Sequence, residues 1–234
     1  MRFGFGGRQL ARLSLLNYKK VSPSISVVRL GNASLLGRRG RELFEVATNR
    51  LVGYMARQGV SPTALSLLGL LFAILSAGLY IAAPGIRELV ILAAVALLVS
   101  GFFDAIDGAV ARASGKVTAF GAFTDSVLDR IEDGAVIVAM TLAGFMDLLL
   151  GMLLLLSSYL VSYARARAEG LGVEMKGIGL FERAERILVL FVASILEYFL
   201  PHTITFVSAA LIAVNAFVVA QRVLYVRSRL REGR

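Results

Sequence analysis

Long apolar segments separated by short polar ones make up most of the chain after residue 57. The first, residues 58–86, has no charged residue in 29 positions, which is enough for one membrane-crossing helix of about 20 residues. Five further apolar segments cover residues 89–103, 134–146, 148–164, 187–200 and 203–221. The pattern predicts an all-α integral membrane protein with six transmembrane helices.

Basic residues are concentrated on one side of this predicted topology. With six spans both termini lie on the same side, and that side carries nearly all of the Lys and Arg residues. The opposite loops, at residues 84–88, around Asp147 and at 201–202, contain a single Lys or Arg residue, Arg87. Because basic loops mark the cytoplasmic side, we expect a multi-pass protein of the cytoplasmic membrane with both termini in the cytoplasm.

The segment before the first span divides into two parts. Residues 1–38 form a basic extension rich in Gly, Ser and Arg. Residues 39–57 carry apolar side chains at helical spacing and predict a juxtamembrane amphipathic helix. This helix is expected to lie on the cytoplasmic leaflet, to pack on the protein's own cytoplasmic face, or to do both. Residues 58–231 would then form the six-helix domain.

Composition narrows the chemistry that the chain can perform. Hydrophobic residues make up 57% of it and charged residues 18%, and the mean hydropathy of +0.76 argues against a soluble fold. The net charge of +9 is therefore assigned to contact with anionic lipid headgroups, and no nucleic-acid partner is expected. With no cysteine and one histidine, disulfides, thiol nucleophiles and cysteine zinc sites are excluded, so any metal must be bound by oxygen atoms.

Two successive predicted helices each carry a stripe of aspartates and small residues. The first stripe is Asp104, Asp107, Gly108 and Ala111, and the second is Gly121, Asp125 and Asp129. Antiparallel packing of the two helices through the turn at residues 114–118 would bring four carboxylates together at the membrane surface. We therefore expect a polar cavity that faces the cytoplasm.

Four neighbouring carboxylates need a compensating positive charge. Oxygen ligands select hard ions such as Mg²⁺ or Mn²⁺, and two divalent ions would balance four aspartates. A site with two metal ions suits displacement at a phosphoester. The alternative is a set of helix-end salt bridges with Arg112, Arg130 and a nearby lysine.

This part of the sequence resembles the signature of the CDP-alcohol phosphotransferase family. It matches that signature, with the same spacing, at Asp104, Asp107, Gly108, Ala111, Arg112, Gly121, Asp125 and Asp129. The resemblance covers about residues 43–231. It implies a homodimer of six-helix chains that transfers a phosphatidyl-type group from a CDP-linked lipid to an alcohol and releases CMP.

The resemblance also implies roles for these residues. The four aspartates would bind two ions, Mg²⁺ or Mn²⁺, and Asp129 would also take the proton from the acceptor hydroxyl. The CDP-linked lipid would contact Asp104, Asp107, Gly108, Ala111, Arg112, Gly121 and Asp125. Residues 59–66 resemble the family's entry to the first helix, with Thr63 in place of the usual Asn or Asp.

Two later segments, residues 162–170 and 179–186, resemble motifs of bacterial and archaeal members that use inositol phosphate. They depart from those motifs at Arg165, where Lys is frequent, and at Ala184, where Pro is frequent in bacterial members. The expected binding site for the acceptor phosphate consists of Ser162, Arg165, Arg167, Arg183, Arg186 and Arg222. Alternatively, these arginines only anchor the helix ends at the membrane surface.

Three functions remain open at this stage. The first is transfer of a phosphatidyl- or archaetidyl-type group to inositol phosphate, and the second is the same reaction with glycerol phosphate or serine. The third is divalent-cation transport, which the uninterrupted apolar halves of the helices disfavour. The sequence does not distinguish acyl from isoprenoid lipid chains.

Overall fold

The computed structural model describes residues 37–175, 177–179 and 181–232. These residues form seven helices and no strand. The helices are α1 (Gly37–Arg57), α2 (Pro62–Ala82), α3 (Leu89–Ala113), α4 (Ala119–Leu142), α5 (Leu148–Glu169), α6 (Arg183–Phe199) and α7 (Thr203–Glu232). The predicted extension over residues 1–38 lies outside the described residues except for its last two.

Four of the helices are long and apolar enough to cross a membrane. They are α2, α3, α5 and α7. The other two predicted spans fall within α4 and α6. The first half of α4 carries several charged residues, and α6 has only 17 residues and begins with Arg183, Glu185 and Arg186. Length and composition therefore identify a membrane protein with four candidate spans, and crossing by α4 and α6 stays a prediction.

The interior of the bundle is apolar, and its outer surface is apolar as well. Tyr80, Met140, Leu154 and Ile204 are fully buried in one core cluster. Many other large apolar side chains are exposed, among them Leu71, Leu142, Leu156, Phe206 and Phe217. Exposed apolar surface of this extent is typical of helices that contact lipid.

A polar contact within the apolar region links α5 and α7. The Asn215 side chain donates hydrogen bonds to the hydroxyl oxygens of Ser157 and Ser158, at 3.0 and 3.3 Å. Asn215 and Ser158 are buried. Interhelical hydrogen bonds of this kind fix the register of packed membrane helices. Two turns further along α7, Arg222 donates a hydrogen bond to the carbonyl oxygen of Val161 in the second half of α5.

The amphipathic helix α1 packs on the rest of the protein through one face. Val52 is buried in a cluster with Leu65, Ile106 and Val110. Another face of α1 leaves Val46 and Tyr54 exposed, at 75% and 57%. Packing on the protein's own surface is therefore observed, and contact with the leaflet stays a prediction for the exposed face.

Candidate functional site

The aspartate stripes of α3 and α4 come closest at Asp104 and Asp129, which lie well inside their helices and away from the turn that joins them. The turn includes Gly115 with a positive φ of 65°, and the Thr118 hydroxyl caps α4 by accepting a hydrogen bond from the Gly121 amide at 2.9 Å. The sequence pattern predicts that α3 and α4 pack closely against each other, and this prediction is wrong. Instead, α2 packs against both of them. The stripes are linked by residues of the neighbouring helices: Arg183 of α6 contacts both Asp104 and Asp129, and Ser66 of α2 contacts Asp107.

A group of three carboxylates, one buried and two partly buried, lies at the centre of this region. Asp104, Asp129 and Glu132 each have a carboxylate oxygen within 4.8 Å of one of the others. Such a group of oxygen donors suits a hard divalent cation. Two of the three residues belong to the predicted metal set, and Glu132 was not predicted.

Glu132 is the most buried member of the group, at 2% exposure. One oxygen, Oε2, accepts hydrogen bonds from Ser100 at 3.3 Å and from Arg183 at 2.6 Å. The other oxygen, Oε1, has no hydrogen-bond partner within the described part of the chain. An unpaired buried carboxylate oxygen is costly, and a bound cation would remove that cost.

The other two predicted metal ligands lie one helical turn closer to the connecting turn. Asp107 on α3 is buried, and the Ser66 hydroxyl of α2 donates a hydrogen bond of 2.5 Å to its Oδ2. Asp125 on α4 is partly exposed. The structure thus brings Asp104 and Asp129 into one group and places Asp107 and Asp125 beside it.

Arg183, the first residue of α6, is inserted among the carboxylates. Its NH1 contacts Asp104 Oδ2 at 2.5 Å and Asp129 Oδ1 at 2.9 Å. Its NH2 contacts Glu132 Oε2 at 2.6 Å, and its Nε contacts Asp133 Oδ1 at 3.1 Å. In the structure Arg183 contacts four carboxylates, and its expected role in binding the acceptor phosphate stays a prediction.

Two further arginines, Arg130 and Arg186, contact acidic residues of α4. Arg186 is buried and forms an ion pair with Asp133. Arg130 contacts Asp129 at 3.0 Å. Part of the charge compensation that the sequence assigned to metal ions is therefore provided here by arginines.

The small residues of the motif leave an open surface beside the aspartates. Gly108, Ala111 and Gly121 are all partly exposed, and Arg112 is exposed. A Cβ atom at Gly108 would lie 3.3 Å from Arg112 NH1, so the arginine side chain extends over this glycine. The arrangement leaves room for a ligand next to the carboxylates.

Gly69 of α2 is a site residue that the sequence did not reveal. A Cβ atom at this position would lie 2.4 Å from Asp104 Oδ1. Because only glycine allows α2 to approach this closely, Gly69 determines where the Asp104 carboxylate lies. Gly69 follows Ser66 by three residues and therefore lies on the same face of α2, which was the only sequence feature that could have indicated it.

We expect Gly69→Ala to lower turnover by up to about 10²-fold, because displaced catalytic groups lose their alignment. The melting temperature should change little, since only the flexible end of Asp104 has to move. Gly78→Ala in the same helix is the matched control, because nothing lies within 4 Å of a Cβ atom there. Equal turnover in the two variants would contradict this role for Gly69.

The remaining predicted acceptor residues lie around the end of α5. Arg165 and Arg167 are exposed, and Arg165 contacts Glu169 at 3.0 Å. Ser162 is partly exposed. Arg222 of α7 is buried and donates hydrogen bonds to the carbonyl oxygens of Val161 at 2.5 Å and of Ile178 at 3.3 Å. It thereby ties the loop between α5 and α6 to the bundle.

Comparisons with known proteins agree with this architecture. The archaetidylinositol phosphate synthase of Methanothermobacter thermautotrophicus is 47% identical over 138 residues, which are 58% of this chain and 69% of that protein. The enzyme of the same name from Pyrococcus horikoshii is 36% identical over 180 residues, 76% of this chain and 90% of that protein.

The fold also matches crystal structures of the phosphatidylinositol phosphate synthase of Mycobacterium tuberculosis. The structure with CDP-DAG bound is 26% identical with a TM-score of 0.65, over 76% of this chain and 92% of that chain. The structure in complex with manganese and citrate is 27% identical with a TM-score of 0.65, over 76% of this chain and 88% of that chain. A family model, CDP-alcohol phosphatidyltransferase, matches residues 60–221. This match covers more than half of the sequence, and the chain therefore belongs to the CDP-alcohol phosphatidyltransferase family.

Proposed function

We propose that this protein transfers a phosphatidyl- or archaetidyl-type group from a CDP-linked lipid to inositol phosphate and releases CMP. The observation that carries the proposal is the group of Asp104, Asp129 and Glu132 within a bundle that has four candidate membrane spans. The names of the similar enzymes support inositol phosphate as the acceptor. The proposed enzyme is a homodimer in the cytoplasmic membrane, with cytoplasmic termini and with α4 and α6 completing six spans. The six-helix domain covers residues 58–231.

The aspartates of the motif would hold two divalent ions, Mg²⁺ or Mn²⁺. Their oxygen atoms fit such ions, and the unpaired Oε1 of Glu132 leaves local negative charge for a cation to balance. When bound, the ions supply positive charge that stabilises the diphosphate and the leaving CMP. The proposed contacts to the CDP-linked lipid are Asp104, Asp107, Gly108, Ala111, Arg112, Gly121 and Asp125.

Asp129 is proposed to be the general base. Its carboxylate would take the proton of the acceptor hydroxyl as that oxygen attacks the β-phosphorus of the CDP-linked lipid. The new bond joins the acceptor oxygen to the β-phosphorus, and the bond from this phosphorus to the oxygen shared with the α-phosphate breaks. CMP leaves with that oxygen. Contacts with Arg130 and Arg183 hold the Asp129 carboxylate in position.

The acceptor phosphate is proposed to bind at Ser162, Arg165, Arg167 and Arg222. Arg222 is the strongest of these candidates. It is a buried cation whose hydrogen bonds go to backbone carbonyls, and it forms no ion pair with any residue that the structure describes. A dianionic phosphate would supply the missing negative charge. Arg183 and Arg186, which also contact carboxylates, complete the proposed set on the side of the aspartates.

We expect Arg165→Ala, Arg167→Ala and Arg222→Ala each to raise the KM for inositol phosphate by about 10- to 150-fold, the effect of losing one charge-assisted contact. The KM for the CDP-linked lipid should stay nearly unchanged. Arg229→Ala, near the end of α7, should change neither value. Equal and small effects in all four variants would show that these arginines only anchor the helices at the membrane.

The choice of acceptor is tested by comparing inositol phosphate, glycerol phosphate and serine with the same purified enzyme and CDP-linked lipid. The arginines favour a phosphorylated acceptor, so serine should be inactive. We expect inositol phosphate to give the highest kcat/KM. A higher value with glycerol phosphate would preserve the reaction class and change the acceptor.

A further inference from the structure

Arg183 bridges two kinds of carboxylate. Through NH1 it contacts Asp104 and Asp129, which belong to the proposed metal set. Through NH2 and Nε it contacts Glu132 and Asp133, which lie outside the family motif. One guanidinium thus connects Asp104 and Asp129 to two carboxylates one turn further along α4, of which Glu132 also belongs to the close group of three and Asp133 does not.

The contacts through NH1 compete with metal binding. A divalent ion approaches carboxylate oxygens to about 2.0–2.1 Å for Mg²⁺, and it repels a guanidinium held against the same oxygens. The contacts with Glu132 and Asp133 do not involve these oxygens. Arg183 can therefore yield Asp104 and Asp129 to an ion while its other nitrogens keep their partners.

We propose that Arg183 is a positioning residue that occupies the place of a divalent cation and exchanges with it. Before an ion binds, its guanidinium neutralises Asp104 and Asp129 and keeps these carboxylates close together. After an ion binds, Glu132 and Asp133 keep Arg183 at the edge of the site, where NH1 becomes available to a substrate phosphate. This exchange rests on the metal-dependent transfer proposed above and assigns roles to two acidic residues outside the motif.

Mn²⁺ binding to the purified, substrate-free protein tests the exchange. We expect Arg183→Gln to bind Mn²⁺ about tenfold more tightly than the unaltered protein, because a charge-assisted competitor is removed. The melting temperature should also rise more on addition of Mn²⁺ in this variant, since its metal-free carboxylates lack a counter-charge. Electron paramagnetic resonance of free Mn²⁺ and thermal unfolding measure the two effects.

Arg186→Gln is the matched control. It removes the same charge from the same helix, but within the acidic group Arg186 contacts only Asp133. Its Mn²⁺ affinity should therefore change by less than about threefold. Equal shifts in the two variants would indicate a general charge effect and overturn the exchange, and so would an unchanged affinity in Arg183→Gln.

If the Arg183→Gln protein does not fold, Mn²⁺ affinity is measured on Arg183→Lys instead. A single ammonium group cannot contact both acidic pairs at once, so Mn²⁺ should still bind more tightly than in the unaltered protein. An unchanged affinity would overturn the proposal. Because these measurements need no substrate, a failure of the unaltered protein to use inositol phosphate would refute the proposed function separately.

Discussion

Replacing Asp129 with asparagine should lower turnover by about 10²–10⁴-fold, the usual effect of losing a general base. Asparagine keeps the size of the side chain and one carbonyl oxygen, which can retain the contact with Arg130 or with Arg183 but not both, and it cannot accept the proton. Binding of the CDP-linked lipid should survive. Single-turnover kinetics and lipid binding on the same sample measure the two effects separately.

The comparison between binding and turnover decides the role of Asp129. A parallel fall in both would mean that Asp129 serves mainly as a ligand of the metal or the diphosphate, and the assignment as base would be wrong. Asp147→Asn is a suitable control. Asp147 caps α5 by accepting a hydrogen bond from the Leu150 amide at 2.9 Å, at the other end of α4 from the site. Its replacement should leave turnover unchanged.

Removal of divalent ions should abolish activity, and addition of Mg²⁺ or Mn²⁺ should restore it. Neighbouring carboxylates remain partly uncompensated without cations, and the diphosphate then meets negative charge. Asp107→Asn should remove most of the metal-dependent rise in melting temperature. Asparagine can still accept the hydrogen bond from Ser66, so the fold should be retained.

Activity in the presence of EDTA and activity after Mn²⁺ is returned are measured on one preparation. The Asp147→Asn protein should respond to metal like the unaltered protein, because Asp147 lies away from the acidic group. Full turnover in chelator would contradict metal assistance. An unchanged metal response in Asp107→Asn would remove Asp107 from the ligand set.

Sequence patterns predicted the helices well because long apolar segments restrict the possible structures. The predicted starts at residues 89, 148 and 203 coincide with the starts of α3, α5 and α7. The predicted ends of all three, at residues 103, 164 and 221, lie short of the observed ends at Ala113, Glu169 and Glu232. The helices continue through Asp104 and Arg165 into polar sequence, and hydropathy alone cannot follow a helix out of the apolar layer.

The position of the site was also predictable, but its charge balance was not. Asp104 and Asp129 could be placed together because each belongs to a stripe at helical spacing and a short turn joins the two helices. The insertion of Arg183 depends on the packing of α6, which lies about 50 residues further along the chain and leaves no local pattern. Glu132 and Asp133 continue the α4 stripe three and four positions after Asp129, yet this spacing alone does not distinguish site residues from charged residues on a solvated helix face.

The central claim is transfer to inositol phosphate by attack of its hydroxyl on the β-phosphorus, and one labelling experiment tests it most directly. Purified protein in lipid vesicles is given a CDP-linked lipid, Mg²⁺ and inositol phosphate that carries ¹⁸O in the attacking hydroxyl, and the products are weighed by mass spectrometry. We predict equal amounts of CMP and an inositol phosphate lipid, with all of the label in the lipid. Absence of the lipid product, or label found in CMP, would contradict the account.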